Sequence, residues 1–255
     1  MQVKLSDRLQ MSANMVEQSA VVADVGCDHA HTCIRLLQTG IAGSCIGMDV
    51  RTGPLKKAEE NLALYGCSDR VELRLGYGLD ELKAGEADTI VVTGMGGELI
   101  RDILERDRSR ERTLYACPPP VLVLQPQSHY QDVRSWLDAN GFMILDEDMC
   151  REDDKFYPAI KAVFTAVGST GAADADVTAG RMVNGLSPAE LYFGPVLLKR
   201  RHPVLKEYLE IEYRKKRYML EQIGRGSGEA ALKKKEEVER VFGIICEARE
   251  ILEQD

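Results

Sequence analysis

The chain has 255 residues, 44% of them hydrophobic and 29% charged, with a formal net charge of −8. That balance is ordinary for a globular protein, and no apolar run reaches the roughly 20 residues of a membrane helix, which excludes a spanning helix. The seven cysteines, at 27, 33, 45, 67, 117, 150 and 246, are odd in number, scattered and without a C-x-x-C pair, so no disulfide framework is expected and a reducing compartment is.

The opening Met1-Gln2-Val3-Lys4-Leu5-Ser6-Asp7-Arg8 lacks the apolar core of a secretion signal, so a cytoplasmic location is expected. The negative charge argues against a nucleic-acid partner, but it is uneven. Residues 1–180 hold 28 Asp/Glu against 18 Lys/Arg, whereas residues 181–255 hold 13 against 15. The late basic residues cluster in Lys199-Arg200-Arg201, Arg214-Lys215-Lys216-Arg217 and Lys233-Lys234-Lys235. Such clusters fit either an RNA-binding face or a solvated helix of mixed charge.

In chain order, the apolar spacing of Leu5, Leu9, Met11 and Val16 predicts a short helix behind Ser6. A strand at 21–25 and a helix at 32–39 closed by Gly40 follow. Next come a strand at 44–50, a helix from Pro54 to Tyr65 closed by Gly66, and a strand at 71–75. Asp88 to Thr93 is an almost continuous apolar strand, as in a strand buried on both faces, and it breaks at Gly94-Met95-Gly96-Gly97. A helix from Glu98 to Arg106, a strand at 121–124, a helix at 130–139 and two strands at 142–146 and 157–167 complete the pattern. The repeated alternation predicts an α/β fold with a doubly wound, mostly parallel sheet and an antiparallel edge.

Gly168 to Gly180 reads as a connector, and a helix from Pro188 is interrupted near Pro195. Beyond it, residues 204–223 and a seam of Val238, Val241, Ile245, Ala248 and Leu252 predict a helical hairpin about Gly224 to Gly228. The expected domains are therefore residues 1–168, a connector at 169–185, and a coiled-coil hairpin at 186–255.

In an open α/β sheet the ligand lies outside the carboxyl ends of the parallel strands. Those ends carry Asp24-Val25-Gly26-Cys27-Asp28-His29, Met48-Asp49, Gly76-Tyr77-Gly78, Gly94 to Gly97 and Gln125-Pro126-Gln127. Asp49, ending the second strand, suits the two hydroxyls of a ribose. A dinucleotide would require G-x-G-x-x-G, but only Gly26 is present, and Asp28 beside a pyrophosphate would be repulsive. A nucleoside with a cationic sulfonium and an ammonium fits better, and S-adenosylmethionine is that molecule, with Asp24 or Asp28 facing its charged end.

The segments Lys4 to Leu9, Asp24 to Ala30, Gly53-Pro54, Gly78-Leu79-Asp80, Gly94 to Ile100 and Leu124-Gln125-Pro126 resemble, in order and spacing, the bacterial tRNA (adenine-22-N1)-methyltransferases of the TrmK family. The resemblance implies a class I (Rossmann-like) methyltransferase fold, S-adenosylmethionine as donor, and N1 of a tRNA D-arm adenine as acceptor. It also implies a catalytic or base-positioning role for Asp28. Two positions depart from the family pattern: Tyr77 stands where an acidic residue is usual, and Gln127 where asparagine is.

The expected cofactor residues are Arg8, Asp24, Gly26, Cys27, His29, Asp49, Val50, Tyr77, Gly78, Gly94, Met95 and Gly96. The acceptor side is expected to use Gly97, Gln125 and Gln127, with Arg214, Lys215, Lys216 and Arg217 as phosphate contacts. A competing reading of Asp28 is a cap on the following helix. The string Cys27, His29, His31 and Cys33 invites zinc, but its spacing matches no usual structural site, so no metal is expected. N1 is the Watson–Crick acceptor of adenine, so the base must be exposed before it reacts. The readings left open are a methyltransferase on another RNA or a small molecule, a non-catalytic cofactor-binding module, and a homodimer formed through the Val238 to Leu252 seam.

Overall fold

A computed structural model describes residues 1–110, 113–115, 118–165, 185–223 and 229–254. The expected connector at 169–185 lies almost wholly outside the described residues, as do Cys117 and the Gly224 to Gly228 turn. The chain divides into two compact units, Met1–Gly180 and Arg181–Asp255.

The first unit runs α1 (Asp7–Asn14), β1 (Ser19–Val25), α2 (His31–Gln38), β2 (Ala42–Asp49), α3 (Thr52–Tyr65), β3 (Val71–Leu75), β4 (Thr89–Met95), α4 (Gly97–Arg108), β5 (Val121–Pro126), α5 (Tyr130–Ala139), β6 (Phe142–Glu152) and β7 (Lys155–Phe164). Its seven strands form one sheet in the order β3-β2-β1-β4-β5-β7-β6. The first five are mutually parallel, while β7 runs antiparallel between β5 and β6. The strand order reverses at β1, which puts the topological switch point between β1 and β4.

The two-residue period of the strands sorts the core into two layers. Val22, Cys45, Val91 and Val123 pack with Ile34, Leu37, Ala58 and Leu62 of α2 and α3. Ala23, Ile90, Val92, Leu122 and Leu124 pack with Ile100, Ile103, Leu104, Val133 and Trp136 of α4 and α5. Both faces are covered, which is why the central strands read as continuous apolar runs. The expected 142–146 strand extends to Glu152 and pairs along its length with β7, including a register shift between Ile144 and Asp146. Inside that pair Glu147 is fully buried and meets the equally buried Arg134 of α5, with Nε 2.7 Å from Oε1.

In the second unit Ser187 and Glu190 form a reciprocal capping box at α6 (Pro188–Phe193), and Gly194 separates it from α7 (Pro195–Lys199). The helices α8 (Pro203–Ile223) and α9 (Glu229–Glu253) pack antiparallel. Arg249 pairs with Glu210 at 2.8 Å and lies 4.0 Å from the Tyr213 ring, which also meets Phe242. Val238, Ile245 and Ala248 are buried within this unit. Val241 and Leu252 of the seam read from the sequence are only half-buried. Among the described residues no helix is long and apolar enough to cross a membrane.

Candidate active site

Where β1 and β4 part, a cleft of about 500 Å³ opens over the carboxyl ends of the strands, a size suited to a nucleoside-bearing ligand. Its floor begins at Gly26. The amides of Gly26 and Cys27 both donate to the Met48 carbonyl at the end of β2, at 2.8 and 2.9 Å, which turns the chain sharply off β1. Gly26 has φ +72°, and the space where a Cβ would project is filled by the Met95 methyl of β4. The positive φ disfavours a side chain there, and one would also push the end of the Met95 side chain aside.

The loop that follows is backbone-strained: Asp28 and Ala30 have φ of +50° and +59°. Asn61 of α3 holds it, its Nδ2 donating 3.0 Å to the His29 carbonyl and lying 3.2 Å from His31 Nε2. Helix α2 starts at His31 with Ala30 at the cap and no side-chain cap bond. Asp28 thus does not cap the helix, which overturns that competing reading. Its carboxylate is 59% exposed and faces the cleft, with His29 Nε2 3.5 Å away. His29 Nδ1 is buried without a partner, a polar atom that a bound group could satisfy.

Asp24, in contrast, is buried and lines the cleft floor, its Oδ2 accepting from Cys33 Sγ at 3.5 Å. Burial raises its carboxyl to about 7 against the lowering effect of the Cys33 bond, and the neighbouring charges of Asp28 and Asp49 add to the rise. Cys27 packs beside Gly47 on the cleft wall, and burial raises its thiol well above the ordinary range, so it stays protonated.

Asp49 is buried at the end of β2, its Oδ1 accepting from the Arg51 amide at 2.9 Å. Val50 beyond it is 60% exposed, and Tyr77 lies on the same side of the cleft with the Arg106 guanidinium 5.6 Å from its ring. Arg106 is in turn held by Asp80 at 2.8 Å. Gly78 completes that side, packed on Ile103 of α4.

The Gly94 to Gly97 stretch divides its work. Gly94, at a register shift in β4 with φ +77°, lines the cleft together with Met95. Gly96 and Gly97 do not. A Cβ on Gly97 would lie 2.5 Å from the Ser128 and His129 carbonyls, and one on Gly96 3.3 Å from Ser128 Oγ. Gly97 is thus required by packing of α4 against the β5–α5 loop, and Gly96 packs closely on Ser128. Gln125 is also corrected. It is completely buried below the cleft, its Oε1 accepting from the Gly94 amide at 3.2 Å and from Arg8 Nη1 at 3.5 Å, so it cannot touch an acceptor. Gln127 does line the cleft, and its amide is fixed on the Met95 carbonyl.

The sequence reading missed Leu9, Thr32, Arg51, Thr93, Leu99 and Ile103 in the lining. Leu99 and Ile103 are four residues apart in α4, a spacing that puts both on one face. Glu98, His129 and Asp132 bring their ligand atoms within 4.8 Å of one another at the surface nearby. In the second unit Arg214, Lys215 and Arg217 are exposed and Lys216 half-buried on α8.

A doubly wound sheet with an acidic, single-glycine turn at its switch point defines a Rossmann-like methyltransferase, and the model of a methyltransferase domain matches residues 5–160. A Bacillus subtilis tRNA (adenine(22)-N(1))-methyltransferase is 32% identical over 228 residues, covering 89% of this chain and 88% of that protein. The chain belongs to this family of bacterial tRNA (adenine(22)-N(1))-methyltransferases. Among solved structures, the B. subtilis m1A22 tRNA methyltransferase TrmK superposes with a TM-score of 0.79 at 27% identity, covering 96% of this chain and 99% of that one. A Streptococcus pneumoniae protein assigned as a tRNA (m1A22) methyltransferase, solved with S-adenosyl-L-methionine, gives 0.76 at 29% identity with the same coverage.

Proposed function

We propose that this protein transfers a methyl group from S-adenosylmethionine to N1 of adenine 22 in the D-arm of tRNA. The observation that carries the reading is the exposed Asp28 carboxylate at the rim of an acidic, nucleoside-sized cleft, in a chain of this family. The cleft fits the cofactor: it offers carboxylates for a ribose and a cationic end, an unpartnered His29 Nδ1, and glycine backbone at 26 and 94. When bound, S-adenosylmethionine supplies an electrophilic methyl on a positively charged sulfur.

Asp49 accepts from the ribose hydroxyls, Val50 and Tyr77 flank the base of the cofactor, and Asp24 faces the cationic end. Gln127 and Asp28 stand on the acceptor side. Attack by N1 spreads positive charge over the adenine ring, and Asp28 accepts from its exocyclic N6, stabilises that charge and receives the proton the product releases. Most of the remaining rate comes from holding N1 in line. Labelled S-adenosylmethionine with unmodified tRNA tests this: transfer disappears when adenine 22 is replaced, and transfer that ignores the replacement overturns the reading.

Residues 1–168 act as the cofactor domain, and 186–255 as a coiled-coil hairpin that grips the tRNA backbone. Changing Arg214, Lys215 and Arg217 together to alanine is expected to weaken tRNA binding and to flatten its dependence on salt by about two to three counterions, while S-adenosylmethionine affinity stays unchanged. Filter binding across a salt series measures this.

The raised carboxyl of Asp24 gives a pH dependence. Below about pH 7 Asp24 holds its proton, and above it the carboxylate is charged, so a cationic ligand binds better as pH rises. The free protein shows the opposite sign, since ionising a buried acid costs it stability between the usual carboxylate range and about pH 7. Calorimetry of S-adenosylmethionine binding is expected to show affinity rising several-fold from pH 6 to 8, with net proton release near neutrality. Asp24→Asn flattens the profile.

A further inference from the structure

Outside the cleft lining, Glu98, His129 and Asp132 each bring one ligand atom within 4.8 Å of the other two. They come from two elements: Glu98 from the first turn of α4, His129 from the N-cap of α5 and Asp132 from its first turn. The backbone beneath them is fixed. The Gly97 amide donates to the Ser128 carbonyl at 2.9 Å, and the Asp132 amide to the His129 carbonyl at 3.1 Å. Either carboxylate alone is explained by its helix, because a first turn favours negative charge. The convergence of both, from two helices, on one imidazole is not.

The imidazole is oriented from outside the triad. His129 Nδ1 lies 3.1 Å from Ser128 Oγ, and Nε2 lies 3.8 Å from Glu98 Oε1. With the Ser128 hydroxyl accepting from Nδ1–H, Nε2 presents its lone pair toward the carboxylates, which is the tautomer of a metal-bound histidine whose other nitrogen is held by a partner. A lone pair and two carboxylates facing one another repel until a cation stands between them. The protein's own cations do not supply it. Arg101, one turn along α4 from Glu98, gives Nε and Nη2 to Asp102 at 3.3 and 3.0 Å. Among the described residues no lysine or arginine forms an ion pair with Glu98 or Asp132.

We infer that Glu98, His129 and Asp132 bind one divalent transition-metal ion of the zinc class, with water completing its coordination. One imidazole and two carboxylates balance the ion's charge, and the nitrogen donor selects zinc over magnesium or calcium. Zinc takes such ligands at about 2.0–2.2 Å. The triad closes to that distance by rotation of side chains, with Glu98 65% and His129 47% exposed. The site is separate from the Cys27 to Cys33 string and from the cleft chemistry. Filled, it staples the first turn of α4 to the first turn of α5 and steadies the loop between β5 and α5, which carries Gln127.

Full-length protein stripped with EDTA and kept reduced is titrated with Zn²⁺ by calorimetry and with Co²⁺ by visible absorption. One equivalent is expected to bind, with a cobalt spectrum free of thiolate charge transfer, and about a 100-fold excess of Mg²⁺ does not displace it. Ser128→Ala, which frees the imidazole, lowers zinc affinity about 10-fold. His129→Ala and the pair Glu98→Gln with Asp132→Asn lower it by more than about 100-fold, beyond the usual cost of losing an outer partner. Zinc raises the melting temperature of the wild type and not of these two variants, and a cooperative melt without metal shows that each is folded. No binding by the wild type, an equivalent that survives His129→Ala, a thiolate band, or equal affinity for Mg²⁺ and Zn²⁺ each overturns the inference. None of these readouts uses tRNA or S-adenosylmethionine, so its failure leaves the methyl-transfer reading untouched.

Discussion

Asp28→Ala is expected to lower single-turnover methylation of tRNA by about 10²- to 10⁴-fold, the range for loss of a positioned acid–base group, while S-adenosylmethionine affinity changes by less than about threefold. The split follows from exposure. Asp24 and Asp49 are buried in the floor, whereas the Asp28 carboxylate is 59% exposed at the rim with His29 Nε2 3.5 Å away. A residue so placed contributes little to holding the cofactor and much to whatever enters from solvent. Rapid quench measures the rate and calorimetry the affinity. A large loss of affinity with an unchanged rate at saturating cofactor would reassign Asp28 to cofactor binding. Asp28→Asn tests the charge separately: it retains an acceptor for N6 but cannot stabilise the developing cation, so it is expected to fall between wild type and alanine.

Arg134→Leu is expected to destabilise the protein by about 3–5 kcal/mol, with little effect on the cleft chemistry of the molecules that remain folded. Arg134 and Glu147 are 1% and 0% exposed, and their ion pair joins α5 to β6. Removing the arginine leaves a carboxylate in the core that has lost its buried counter-charge and must either stay charged there or take up a proton. Urea unfolding followed by the fluorescence of Trp136, two residues away on the same helix, reads the change. The double variant Arg134→Leu with Glu147→Leu is expected to recover much of the loss, because an apolar pair carries no desolvation cost. If the single variant unfolds at the wild-type midpoint, the pair contributes nothing and water relieves Glu147.

Four of the five parallel strands were readable because each is an apolar run followed by a helical period, β3 was readable from its alternation, Val-Glu-Leu-Arg-Leu, and the break at Gly94 to Gly97 marked the end of β4. The length of β6 was not readable. Its second half, Glu147 to Glu152, is mostly polar, and it is held as a strand by pairing with β7, a tertiary effect that leaves no local pattern. The same half-strand delivers Glu147 to Arg134 and Glu152 to Arg8, so both long-range ion pairs were hidden with it.

Most cleft residues were legible from their position at strand ends. The errors came from side-chain depth. Gln125 and Gln127 are two apart on one chain end, and a two-residue period alone would give them the same face. The register shift between Thr93 and Met95 in the neighbouring strand goes with a different outcome, since Gln125 is buried under Gly94 and Gln127 reaches the cleft. Gly96 and Gly97 looked like ligand glycines for a similar reason. A glycine needed against the Ser128 and His129 carbonyls is indistinguishable, in one sequence, from a glycine needed against a cofactor.

The Met95 methyl seated over Gly26 ties the end of the fourth strand to the first turn across 69 residues of sequence. That methyl is the far end of a flexible side chain and can swing aside, whereas the positive φ at 26 belongs to the turn itself and no neighbour can relieve it. The backbone of the glycine, and not the methyl above it, is therefore what closes this turn to side chains.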